Sequence, residues 1–150
     1  MFLLDANVLI ALGDADHVHH DRAMRFFGGH AVTGGWATCP LTENAFLRIL
    51  GHAGYQGGPG SPELARRSLL SIITVPGHQF WPDSVSLADT RSFPSLPPSG
   101  RLTDLYLLAL AVQRGGRLAT LDRRIDPGLI SGGPDAYHVI AGCPSPERLP

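Results

Sequence analysis

The sequence predicts an α/β protein organised on a mostly parallel sheet with helices on both faces. Three observations lead there. A short apolar run, Phe2–Leu4, ends in a carboxylate, Asp5. A second run, Arg117–Leu121, repeats that layout and ends in Asp122. Between them lie stretches whose apolar residues recur with helical spacing. A continuous apolar run of a few residues marks a strand buried on both faces. Strands that alternate with helices pack most economically as a parallel sheet covered on both sides. The 150 residues suit one domain, residues 1–140, followed by a short Pro-rich tail, 141–150.

The elements follow in order. After the first strand, Asn7–Leu12 has helical spacing and stops near Gly13. His17–Phe27 reads as a second helix, with Val18, Met24 and Phe27 toward the core and Gly28 and Gly29 ending it. His17 and His20 are spaced to share a helix face, yet no Cys or Glu nearby completes a metal set, so a solvated helix start is the better reading. Ala37–Cys39 is the tail of a strand. Pro40 opens a helix over Leu41–Leu50, since a first-turn residue has no need of its N–H. Gly54–Pro62 is a Gly/Pro loop, Glu63–Ile72 a helix, Gln79–Trp81 a short strand and Ser84–Thr90 a short helix. Phe93–Gly100 is a loop. Thr103 is the expected N-cap of a helix over Asp104–Val112 that is apolar on every side and therefore central. Gly115 and Gly116 end it, and Tyr137–Ile140 is the last strand.

Composition narrows the function. Twelve basic residues face thirteen acidic ones, for a formal charge of −1, so no global basic signature announces nucleic acid. Every basic residue is Arg and the chain has no Lys. Cys39 and Cys143 fit neither a disulfide framework nor a zinc pattern, and read as free thiols in a reducing compartment. With no transmembrane-length apolar run, the expectation is a soluble, cytoplasmic protein that engages no membrane.

Four acids carry the functional reading. In a parallel α/β sheet, strand C-termini and helix N-termini share one edge, where sites form. Asp5 and Asp122 stand at strand ends; Glu43 and Asp104 stand in first helical turns. Each has a plain structural role when taken alone, as a turn residue or a partner of the helix dipole. Together they predict one acidic edge. One like-charged pair at about 4 Å costs about 4 kcal/mol at an effective dielectric near 20, so four clustered carboxylates take up protons or bind a divalent cation. Oxygen-only donors favour Mg²⁺ or Mn²⁺ over zinc, and hydrolysis of a phosphodiester is the reaction class that suits them. Arg48, Arg91, Arg101, Arg123 and Arg124 are candidates for phosphate contacts. The two Gly/Pro loops, Gly54–Pro62 and Phe93–Gly100, are expected to flank the site.

The succession LLDANVLIAL, LTENAFLRIL, LTDLYLLALA and ATLDRRI resembles the PIN-domain nucleases, and more closely the VapC toxins of bacterial toxin–antitoxin modules. The resemblance covers roughly residues 1–140 and implies a three-layer α/β/α sandwich. It places the family's acidic quartet on Asp5, Glu43, Asp104 and Asp122, as catalytic and metal-binding residues. Asn7 and Thr120 match polar positions beside the quartet, and Asp126 is a candidate auxiliary ligand or an ion-pair partner of Arg123 and Arg124. It further implies metal-dependent endoribonuclease activity on RNA, a homodimer, and a cognate VapB-like antitoxin. The alternative is a catalytically silent module of the same fold that binds metal and a partner protein. Two other acid-bearing sheet proteins fit less well. A haloacid-dehalogenase-type phosphatase needs a second Asp where this chain has Asn7, and a response-regulator receiver relies on a Lys.

Overall fold

Phe2–Leu4 form β1, and the other strands are laid out from it. The computed structural model describes residues 1–142; Cys143 and the tail beyond it lie outside the described residues. β1 pairs with β2 (Trp36–Thr38) on one side and with β4 (Arg117–Thr120) on the other. β3 (His78–Phe80) and β5 (Tyr137–Val139) form the edges. The order is β3-β2-β1-β4-β5, and every pairing is parallel.

Side chains alternate across each strand, which splits the core in two. Leu3, Ala37 and Leu118 face one layer, which holds α6 (Leu102–Gln113) and α7 (Gly133–Ala136). Leu4, Trp36 and Ala119 face the other. That layer holds α1 (Ala6–Gly13), α2 (His20–Phe26), α3 (Val32–Gly34), α4 (Pro40–Leu50) and α5 (Pro62–Ile73). The result is the three-layer sandwich with a parallel sheet. Every residue from Leu105 to Ala111 is buried, as an all-round apolar helix requires. Each buried Leu there contributes about 1.5–3 kcal/mol. Among the described residues no helix is long and apolar enough to cross a membrane.

The structure corrects several local expectations. The second helix starts at His20, and the chain does not stop at Gly28–Gly29. It runs on through a π-helical turn, Phe27–Ala31, into α3 and ends at Gly35, whose φ is +78°. Phe27 and Ala31 are both buried in the core, and that burial offsets about 1 kcal/mol for each helical Gly. Phe26 and Phe27 take the core face; Val18 and Met24 are exposed. On α4, Thr42, Phe46 and Leu50 face inward while Leu41 is exposed.

Residues 84–90 form turns instead of a helix. Ser86 Oγ accepts the Ala88 N–H, and Asp89 accepts the Arg91 N–H and the Ser92 hydroxyl. Such local side-chain bonds compete with a helix, while Val85 and Leu87 pack against the α6 layer. Thr103 is not the cap of α6, because a 3₁₀ turn, Ser99–Arg101, leads straight into the helix at Leu102. The Gly54–Pro62 loop lies at the opposite edge of the sheet from Glu43. It follows the far end of α4, and Tyr55 donates its hydroxyl to Asp14 beyond α1 at 2.7 Å.

The α4–α5 turn is closed tightly at Gly51. A Cβ there would stand 2.5 Å from the Leu47 carbonyl and 2.6 Å from Pro62 Cα, both backbone atoms that cannot yield cheaply. Gly51→Ala is expected to lower unfolding stability by about 1–3 kcal/mol. Gly29→Ala, where the added carbon meets nothing within 4 Å, is expected to be neutral or stabilising. Urea unfolding of both variants checks this; equal losses would contradict it.

Candidate active site

Asp5 sits where β1 gives way to α1. Its backbone is extended and occupies the N-cap position, yet its side chain makes no cap bond. The carboxylate turns instead across the sheet edge. Its Oδ2 accepts the Thr120 hydroxyl at 2.6 Å and Asn7 Nδ2 at 2.9 Å. Thr120 Oγ1 in turn accepts Asn7 Nδ2 at 3.0 Å and the Asp122 N–H at 3.0 Å. Asn7 Oδ1 accepts the Leu121 N–H at 3.1 Å. The start of α1 is thereby pinned to the end of β4.

Asp122 follows that strand end and is ion-paired. Arg101 reaches it at 2.8 Å and Arg124 at 2.9 Å. Arg101 also reaches Asp104, its neighbour one helical turn on, at 3.4 Å. Tyr137 donates its hydroxyl to the Asp122 carbonyl at 2.6 Å. Glu43, in the first turn of α4, accepts the Thr38 hydroxyl at 2.6 Å, and Thr38 Oγ1 lies 2.8 Å from His78 Nε2. Because the Thr38 proton goes to Glu43, His78 Nε2 is the donor to Thr38.

The electrostatics differ from one acid to the next. Burial raises the Asp5 pKa to about 6, with the Thr120 hydrogen bond opposing and the Asp104 charge adding. Burial likewise raises Asp104, opposed by Arg101 and reinforced by Asp122. The Arg124 guanidinium holds Asp122 well below the usual carboxylate range, against a smaller effect of burial and with help from Arg101. Asp5, Asp104 and Asp122 thus form one electrostatically connected series. Glu43 lies on the same edge one strand over, and its hydrogen bond goes to Thr38 rather than to the three aspartates.

Among the described residues, no three His, Cys, Asp or Glu side chains stand close enough to hold one ion as arranged. Arg101 occupies the space between Asp104 and Asp122. The donor chemistry nevertheless suits a hard divalent cation: all four candidate side chains offer oxygens, and Asp5 is buried with no cationic partner among the described residues. A cleft of about 300 Å³ is lined by Asp104, Arg101 and Arg124 together with Pro97, Pro98 and Ile125. The Phe93–Gly100 loop therefore borders the acids, as expected.

Asp126 caps its own turn, accepting the Gly128 N–H, and lines the same cleft as Asp104. The remaining sequence candidates go elsewhere. Arg48 lies in the last turn of α4, at the far edge, and Arg91 lines a cavity of about 620 Å³ against α6. His17 accepts the His19 N–H and His20 bonds the Ala11 carbonyl. Cys39 is buried beside Thr42. Sequence reasoning missed Thr38 and His78. Thr38 carried a signal, as a hydroxyl at a strand end; His78 carried none.

The chain is similar to known proteins in sequence and in fold. The PIN domain family model matches residues 2–127, a span that contains all four acids. Ribonuclease VapC39 of Mycobacterium tuberculosis is 39% identical over 132 residues, 87% of this chain and 94% of that protein. Ribonuclease VapC38 of the same organism is 43% identical over 122 residues, 81% of this chain and 85% of its own. The crystal structure of Mycobacterium tuberculosis VapC20, a sarcin-ricin loop cleaving toxin, aligns with a TM-score of 0.57 at 13% identity, over 79% of this chain and 87% of that one; the likeness is one of fold. The chain belongs to the PIN-domain family and, within it, to the VapC ribonucleases.

The Asp5 carboxyl gives a stability test. Its folded pKa of about 6 exceeds the ordinary 3.8, so the folded state holds this proton more tightly. Stability contributed by that proton is present below about pH 4 and is lost as pH rises to about 6. A shift of this size corresponds to about 3 kcal/mol. Asp5→Asn keeps an acceptor for Thr120 and Asn7 and removes the charge. In the absence of metal it is expected to raise Tm at pH 7 and to flatten the pH dependence between about 4 and 6. Thermal unfolding across that range checks this, and an unchanged slope would count against it.

Proposed function

We propose that this protein is the toxin of a toxin–antitoxin pair, a cytoplasmic endoribonuclease that hydrolyses RNA phosphodiester bonds with Mg²⁺ or Mn²⁺ held by Asp5, Glu43, Asp104 and Asp122. The observation that carries the reading is the buried Asp5 carboxylate, which among the described residues has no cationic partner and shares the sheet edge with Asp104 and Asp122, the two acids that Arg101 bridges. A divalent ion there would supply positive charge against the phosphate and a water activated for attack. The remaining groups act on position. Thr120 and Asn7 hold Asp5 in one orientation, and Thr38 does the same for Glu43. Arg101 and Arg124 are planar cations at the rim of the same cleft. Arg recognises a phosphate with paired hydrogen bonds, so in the RNA complex these two hold the substrate backbone over the acids.

The names of the curated relatives support RNA as the substrate. Membership of the VapC group supports a VapB-like antitoxin that covers the acidic edge, and a homodimer as the working form. The ion pairs of Asp122 with Arg101 and Arg124 favour one other reading, a silent module in which these guanidinium groups take the place of metal.

Incubating purified protein with total RNA separates the two. With Mg²⁺ or Mn²⁺ the expected result is discrete products, absent with chelator and reduced at least about 100-fold in Asp5→Asn, as for loss of a group that binds only the reacting centre. No cleavage with either metal would overturn the nuclease and leave the binding module.

A further inference from the structure

A second cleft lies on the flank of the molecule, between α2 and the edge strand β5. Its volume is about 300 Å³. Among the described residues, Arg22, Arg25, His30 and His138 line it together with Phe26, and no acidic side chain does. The basic character continues past both ends. Arg117 and His30 are close enough to lower the His138 pKa, after burial as the main cause. Arg123, the residue after Asp122, is close enough to Arg22 to act on it in the same sense. The flank therefore leads from β5 back to the acidic edge.

Arg22 stands in an unfinished state. Its Nε and one terminal nitrogen are withdrawn from solvent, and among the described residues neither has an acceptor. Buried donors in folded proteins are nearly always paired, and a guanidinium is served best by the oxygens of an oxyanion. Phe26 is buried and packs against the rings of His30 at 5.7 Å and His138 at 5.2 Å. The cleft is thus lined by two arginines and a buried aromatic ring in a chain whose formal charge is −1.

We infer that this cleft is a phosphate-binding subsite, in which Arg22 and Arg25 hold a backbone phosphate of the RNA away from the bond that is cut. The inference rests on the RNA substrate proposed above. It assigns to the nuclease a second anchoring point, separated from the acids by Arg123.

The test measures RNA binding, not cleavage. The full chain carrying Asp5→Asn is titrated with a labelled, mixed-sequence oligoribonucleotide over a range of salt, with and without Arg22→Gln and Arg25→Gln. The double variant is expected to bind roughly tenfold more weakly, and its salt slope to be shallower by roughly 0.7 for each phosphate that is no longer neutralised. Arg25 is exposed, so Arg25→Gln alone keeps the fold and is expected to show part of both effects. Inorganic phosphate alone is expected to perturb the Arg22 Nε resonance only at millimolar concentration; saturation at micromolar concentration would mark a free-phosphate site and overturn the RNA assignment. RNA affinity unchanged by the substitutions would overturn the cleft while leaving the nuclease standing. Unchanged RNA affinity with weakened antitoxin binding would assign the cleft to an acidic protein segment instead. No RNA binding by the Asp5→Asn chain would overturn both the cleft and the function on which it rests.

Discussion

A carboxylate withdrawn from water must be answered by the groups around it, and Asp5 sets that constraint here. Three elements meet to satisfy it. Thr120 gives its proton from the end of β4, Asn7 gives an amide proton from α1, and Asn7 returns its own oxygen to the Leu121 N–H. None of these bonds neutralises the charge. They orient it, and they fix the sheet edge against the first helix. A fully satisfied polar network of this kind tolerates few alternatives, because removing one member leaves another unpaired in a poorly solvated place.

Around that fixed point the charge is distributed unevenly. Asp122 is the best-compensated acid, Asp5 the least, and Asp104 lies between. The gradient runs from the rim, where Arg101 and Arg124 stand, to the buried root at β1. With no lysine in the chain, all of this positive charge apart from histidine is planar and fixed at any ordinary pH.

Much of this was legible in the residues because it depends on local pattern. Short apolar runs located β1 and β4, and the acids that ended them came out at the sheet edge. Helix α6 announced itself by being apolar all round. The expectations that failed depended on packing. Gly28 and Gly29 look like a helix stop, yet Phe27 and Ala31 on either side are buried in the core, and the chain runs on between them as a π turn. Residues 84–90 have helical spacing, but their Ser and Asp side chains bond locally and hold them in turns. Glu43 and the Gly54–Pro62 loop are close in sequence and sit at opposite ends of α4. His78 supports Glu43 through Thr38 from a strand forty residues away in the chain, a contact that no periodicity announces. The fourth acid itself was legible, but its separate hydrogen-bonded setting was not.

The sheet contains no hairpin, and its central pairing joins Phe2 to Arg117. Parallel strands need long crossovers, and pairing of such distant segments comes late and slowly in folding. The bond between Asp5 and Thr120 spans 115 positions. A chain still emerging from the ribosome therefore carries Asp5, Glu43 and Asp104 without the strand that assembles them. The acidic edge forms only after the chain beyond Thr120 has been made.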